Sequence, residues 1–88
     1  MTRIEKIRRA LDEALEPESL TIDDESHHHV GHAGAKTGRG HFSLRIVSEA
    51  FKGVPLIERH RLVYKALGDL MQTDIHALSI QAKAPGER

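Results

Sequence analysis

Five of the seven histidines in this chain fall between positions 27 and 41, in the stretch HHHVGHAGAKTGRGH, interleaved with four glycines and no acidic residue. An unprotonated imidazole nitrogen is a common metal ligand, so His27, His28, His29 and His32 are candidate ligands. They lack a helix to array them. His28 and His32 stand four apart, but no H-E-x-x-H is present, and the glycines and strand-like flanks oppose a helix. The fragment GHAGAKTG suggests a phosphate loop instead. Its spacing fails, because Ala35 separates Gly34 from Lys36 and the segment does not run from a strand directly into a helix. Solvated polar chain is the third reading, and composition alone leaves it open against the metal reading.

Other chemistry-bearing residues are sparser. Ser26, Ser43, Ser48 and Ser79 carry no nucleophile-elbow context, and no hydrolytic triad can be assembled, so catalysis by this chain is not expected. His41, His60 and His76 lie inside periodic segments, where a histidine is ordinarily a hydrogen-bonded structural residue. His76 is in phase with Leu78 and Ile80, which predicts a ring near the edge of the core face. Arg59, Arg61 and Lys65 in ERHRLVYK gather cations that could meet phosphates or an acidic partner. A solvated helix face, with Glu58 and Asp69 nearby, competes with that reading. No short helix is expected ahead of Pro55, so a DNA-recognition helix is weakly supported.

The totals narrow the classes. With 88 residues the chain is read as one domain, 1–88, and with no cysteine it offers neither disulfides nor thiolate ligands, so sulfur ligation requires a partner. Thirteen basic residues balance thirteen acidic ones, and Phe42, Phe51 and Tyr64 are the only aromatics. Both facts weigh against a general nucleic-acid binder. No apolar run is long enough to span a bilayer and the first residues lack a secretory h-region, so no membrane association and a cytoplasmic location are expected.

The elements that must position these residues follow from periodicity. Thr2 and Glu5 form a capping box ahead of Ile4, Ile7, Leu11, Ala14 and Leu15, predicting a helix over 3–16. SLTIDDE and HFSLRIVS alternate like half-buried strands, separated by a His/Gly-rich loop at 26–40 that is long enough to suggest function and is expected to be disordered without a partner. After a turn at Lys52 and Gly53, Pro55 opens a second helix whose buried stripe is predicted as Leu56, Ile57, Val63, Ala66, Leu67, Leu70 and Met71. Gly68 inside it is read as a mark of close packing. DIHALSIQA returns to strand, and 84–88 is expected to fray. The order αββαβ predicts an α+β two-layer sandwich: a three-stranded mixed sheet covered by helices on one face.

DES, GH, HF, IVS followed by AFKG, RHRLVY and IHALSIQA together run through most of the chain, and in that order it resembles the BolA family. The resemblance implies an αββαβ fold related to type II KH domains. It also implies a heterodimer with a monothiol, CGFS-type glutaredoxin, sharing a bridging [2Fe-2S] cluster in iron-sulfur cluster assembly, transfer or iron homeostasis. By position in the family pattern, the ligands from this chain are His32 in the loop and His76 at the start of the last strand, with sulfur supplied by glutaredoxin and its glutathione. His27, His28 and His29 are auxiliary metal candidates. The isolated chain would be a cluster-free monomer or weak dimer. The family also suggests a rival role, a KH-like DNA-binding transcriptional regulator of stress response and cell morphology, contacting DNA through Lys52, Arg59, Arg61 and Lys65. No G-x-x-G loop joins one helix directly to the next, which counts against it.

Overall fold

The computed structural model describes residues 2–25 and 40–87. Along them run helix α1 (Arg3–Leu15), strand β1 (Ser19–Asp24), strand β2 (Gly40–Val47), a 3-10 turn (Glu49–Phe51), helix α2 (Leu56–Leu67), a short helix α3 (Leu70–Thr73) and strand β3 (Ile75–Lys83). The predicted capping box is present. The Thr2 hydroxyl accepts from the Glu5 amide at 3.1 Å while the Glu5 carboxylate accepts from the Thr2 amide at 3.2 Å, and these bonds hold the Glu5 carboxyl below its ordinary pKa.

The sheet has the order β1-β2-β3, antiparallel between β1 and β2 and parallel between β2 and β3. Phe42, Leu44 and Ile46 on β2 alternate with His41, Ser43 and Arg45. The first set joins Ile7, Leu11 and Leu15 of α1, Phe51, Val63, Leu67, Ile75, Ala82 and Ala84 in one buried core. Helices thus cover one face of a mixed three-stranded sheet, as expected, and among the described residues no helix covers the other. Ser48 locks the two layers: its buried hydroxyl donates to the Leu15 carbonyl at 2.5 Å.

Three expectations need correction. Leu56 and Ile57, placed in the buried stripe, are 68% and 64% exposed, because the stripe that α2 buries is Arg59, Val63 and Leu67. Gly68 does not sit in a continuous helix. It ends α2 with φ +53°, and a Cβ added there would come no closer than 4.0 Å to another atom, so the glycine serves backbone conformation rather than packing. At φ +53° and ψ −127°, outside the regions that side chains favour, Gly68→Ala is expected to cost on the order of 1–3 kcal/mol, measured as a lowered urea midpoint; an unchanged midpoint would show that α2 ends equally well without glycine.

The third correction is at the C-terminal tail. Ala84 is buried, and Glu87 folds back so that its carboxylate accepts the Ala84 amide at 2.9 Å and both terminal nitrogens of Arg59. The segment 84–87 is held. Residue 40, assigned to the loop, is the first residue of β2.

Candidate functional site

β2 and β3 run parallel, so both begin at the same end of the sheet. There Gly40 pairs with Ile75 and His41 with Ala77, a one-residue register shift that leaves His76 as an extra residue between them. Strict alternation back from Leu78 would turn His76 toward the helices. The bulge instead lets Ile75 enter the core at 1% exposure and places His76 outside, exposed. The prediction of a ring at the edge of the core face is therefore corrected by the bulge.

His41 precedes Phe42, a core residue, and so belongs to the outer face of the sheet. Its ring centroid lies 5.1 Å from that of His76, with the planes tilted by 48°. This neighbour was missed in the sequence, where His41 read only as a structural residue. A signal existed: two strands feeding one sheet, each with a histidine near its first position, but it needed the parallel register to be used.

The same corner holds the two residues that flank positions 26–39, Glu25 and Gly40. Glu25 donates its amide to the His41 carbonyl at 2.8 Å, and the Gly40 amide donates to the Asp74 carbonyl at 2.9 Å. Asp74 is a tie point. Its carboxylate accepts the Thr73 hydroxyl at 2.6 Å and Lys6 at 3.3 Å, with Arg3 at 3.6 Å. The Thr73 bond, then Lys6 and Arg3, hold that carboxyl below its ordinary pKa against the opposing effect of burial. On the outer face, the Glu25 carboxylate accepts the Ser43 hydroxyl at 2.6 Å.

His27, His28, His29 and His32 lie outside the described residues. Among the described residues no three histidine or acidic side chains are grouped to hold a metal, and no helix is long and apolar enough to cross a membrane. His60 is remote from the pair, lining a hollow of about 350 Å³ between α2 and β3 with Leu56, Ile80 and Ala82.

Arg59 does not sit on a solvated face. It is 7% exposed; its Nε donates to the Val54 carbonyl at 2.7 Å, its Nη1 to the Ala82 carbonyl at 3.0 Å, and its guanidinium grips Glu87. These partners use the fork that a phosphate or acidic surface would need. Of the four cations proposed as contacts, Lys52, Arg61 and Lys65 remain exposed, with Arg61 paired to Glu58.

Comparison with known proteins agrees with this architecture. The chain is 47% identical over 89 residues to Protein BOLA1, chloroplastic, of Arabidopsis thaliana, covering 97% of this chain and 55% of that one. To SufE-like protein 1, chloroplastic/mitochondrial, of the same plant it is 46% identical over 87 residues, covering 93% of this chain and 24% of that protein. It therefore spans about half of one relative and about a quarter of the other. The solved BolA domain of SufE1 from Arabidopsis thaliana superposes with a TM-score of 0.87 at 45% identity, covering 100% of this chain and 98% of that one. A family model described as BolA-like protein matches residues 11–87, and with these relatives it shows that the chain belongs to the BolA family.

Proposed function

We propose that this chain is a non-enzymatic adaptor that joins a monothiol glutaredoxin through a bridging [2Fe-2S] cluster, in cluster assembly, transfer or iron homeostasis. The observation that carries the reading is the placement of His76: exposed on a bulge, at the corner where Glu25 and Gly40 anchor both ends of the histidine-bearing segment. His32 is eight residues before Gly40, within a span of about 26–29 Å of extended chain. His76 and His32 can therefore serve one centre.

The donor set fits. This chain supplies imidazole nitrogen and has no cysteine, so the thiolates come from glutaredoxin and glutathione. Nitrogen ligation on one iron and sulfur on the other is the asymmetry that raises the potential of such clusters. The residues of this chain orient and present ligands: Ile75 buries below the bulge, and the Gly40 to Asp74 hydrogen bond fixes the exit of the segment carrying His32.

Anaerobic reconstitution of this chain with a monothiol glutaredoxin, glutathione, iron and sulfide tests the reading by visible circular dichroism. A spectrum distinct from that of the glutaredoxin homodimer is expected, and His32→Ala should alter it. The reading fails if the spectrum is that of glutaredoxin alone whether or not this chain is added.

A further inference from the structure

The two edges of the sheet are built differently. β1 is six residues long, carries Asp23 and Asp24, and has its Leu20 carbonyl covered by Arg8 Nη2 at 3.1 Å. β3 runs for nine residues, and from Ile75 to Ala82 it contains no proline, lysine, arginine or acidic residue. Short length, charge and proline are the means by which edge strands avoid pairing with another chain, and β3 has none of them. Among the described residues no strand lies beyond it. Hydrogen bonds fix which of its backbone groups face outward. The Lys83 carbonyl accepts the Ser48 amide at the end of β2, whereas the Ala82 carbonyl accepts from Arg59 on the other side of the strand. Successive strand residues present their backbone groups to alternate sides, so Ser79 and Gln81 face β2 while Leu78 and Ile80 face out. Arg59 closes this edge at Ala82, and the bulge at His76 interrupts it at the other end. The open stretch is Leu78 to Ile80. Both side chains are only partly buried, and Ile80 lines the hollow of about 350 Å³ together with the exposed Leu56.

We propose that this edge is a docking surface for a second copy of the chain, with the two β3 strands antiparallel about a two-fold axis at Ser79. In that register the open groups match themselves. Leu78 of each copy faces Ile80 of the other as a hydrogen-bonded pair, exchanging both N–H···O bonds, and Ser79 faces Ser79 as the closer, non-hydrogen-bonded pair between them. A two-fold at Ile80 would require the Ala82 carbonyl, which Arg59 already holds, and one at Leu78 would set Ile80 against the bulge at His76. On the helix side, Leu78 of the second copy lies beside Ile80 and above the hollow toward Leu56, so each chain covers the other's partly buried apolar residues. On the opposite face the meeting residues are Ser79 with Ser79 and Ala77 with Gln81, all uncharged, and no like charges are opposed along the open stretch. The two sheets then become one. The ladder is short, so the association is weak and is read at high protein concentration.

Sedimentation velocity of the full chain, with a chelator present and no glutaredoxin, tests the pairing. Up to about 1 mM the parent chain should show a reversible monomer–dimer equilibrium. Ser79 is exposed, so charges can be placed on the two-fold without entering the core, and far-UV circular dichroism verifies the fold of each variant. Ser79→Lys and Ser79→Glu each set like charges directly opposite one another and should weaken self-association about fivefold. Their equimolar mixture sets lysine against glutamate and should associate at least as well as the parent. Thr21→Lys, exposed on β1, makes the same change in net charge away from the edge and should stay within twofold of the parent. The proposal is overturned if the parent stays monomeric at about 1 mM, if Ser79→Lys dimerises within twofold of the parent, or if mixing the two Ser79 variants brings no gain over either alone. None of these results bears on the glutaredoxin reading, which is judged by its own spectrum.

Discussion

Replacing His76 with alanine is expected to abolish the visible circular dichroism of the proposed glutaredoxin heterodimer while moving the melting temperature of the isolated chain by less than about 5 °C. The two halves of that expectation have separate causes. His76 is exposed on the outer side of a bulge, and the strand around it is held by Ile75 and Leu78 on the core side and by the pairing of His41 with Ala77. Truncating the ring therefore opens no cavity and orphans no buried partner. Ligation is a different matter, since alanine has no donor atom and a fixed strand cannot bring a substitute to the same place. The segment 26–39 has three further histidines near His32, so His32→Ala should weaken or alter the spectrum less completely. A His76→Ala protein that still gives the full heterodimer spectrum would remove this residue from the ligand set. A large loss of melting temperature would instead show that the ring supports the fold.

The contrast between His76 and Gly68 shows where the sequence was legible and where it was not. Alternation in β2 and the capping box at Thr2 are local patterns, and the element order, mixed sheet and helix-covered face followed from them. Periodicity assigns a residue to a face only while the period holds. The bulge between Ile75 and Ala77 breaks it, so counting back from Leu78 put His76 on the wrong side, and His41 had no visible partner until the parallel register was known. Gly68 was a matter of φ, which residue type permits but does not dictate. For the ligand set, the family motif pointed to His76 and structure gives it a position; His32 and its neighbours rest on the motif.

Arg59 is the deepest miss, and it supports the largest stability prediction. Its charge and its helical neighbours argued for a surface residue, whereas its burial depends on acceptors 5, 23 and 28 positions away: Val54, Ala82 and Glu87. No local pattern encodes such a network. Because Glu87 also accepts the Ala84 amide, one guanidinium holds α2, the end of β3 and the tail together. Arg59→Ala would leave three acceptors without their donor and free Glu87 from its anchor, so a fall in melting temperature on the order of 10 °C or more is expected. Glu87→Gln keeps most of the shape and removes the charge, and its fall should be about half as large.

Acid provides the check on mechanism. The hydrogen bond from Arg59 holds the Glu87 carboxyl down to about 2, from an ordinary 4.5, and the same bond raises the pKa of Arg59. A carboxyl depressed in the folded state stabilises it fully above about pH 4.5, and that contribution is lost as the pH falls toward 2. The melting-temperature gap between the parent chain and Glu87→Gln should therefore be constant near neutrality and close between pH 4.5 and 2. A gap that persists unchanged at pH 2 would mean that the loss in Glu87→Gln comes from misplaced hydrogen bonding by the amide, not from the missing charge. Arg59 would then be a packing residue that happens to be cationic.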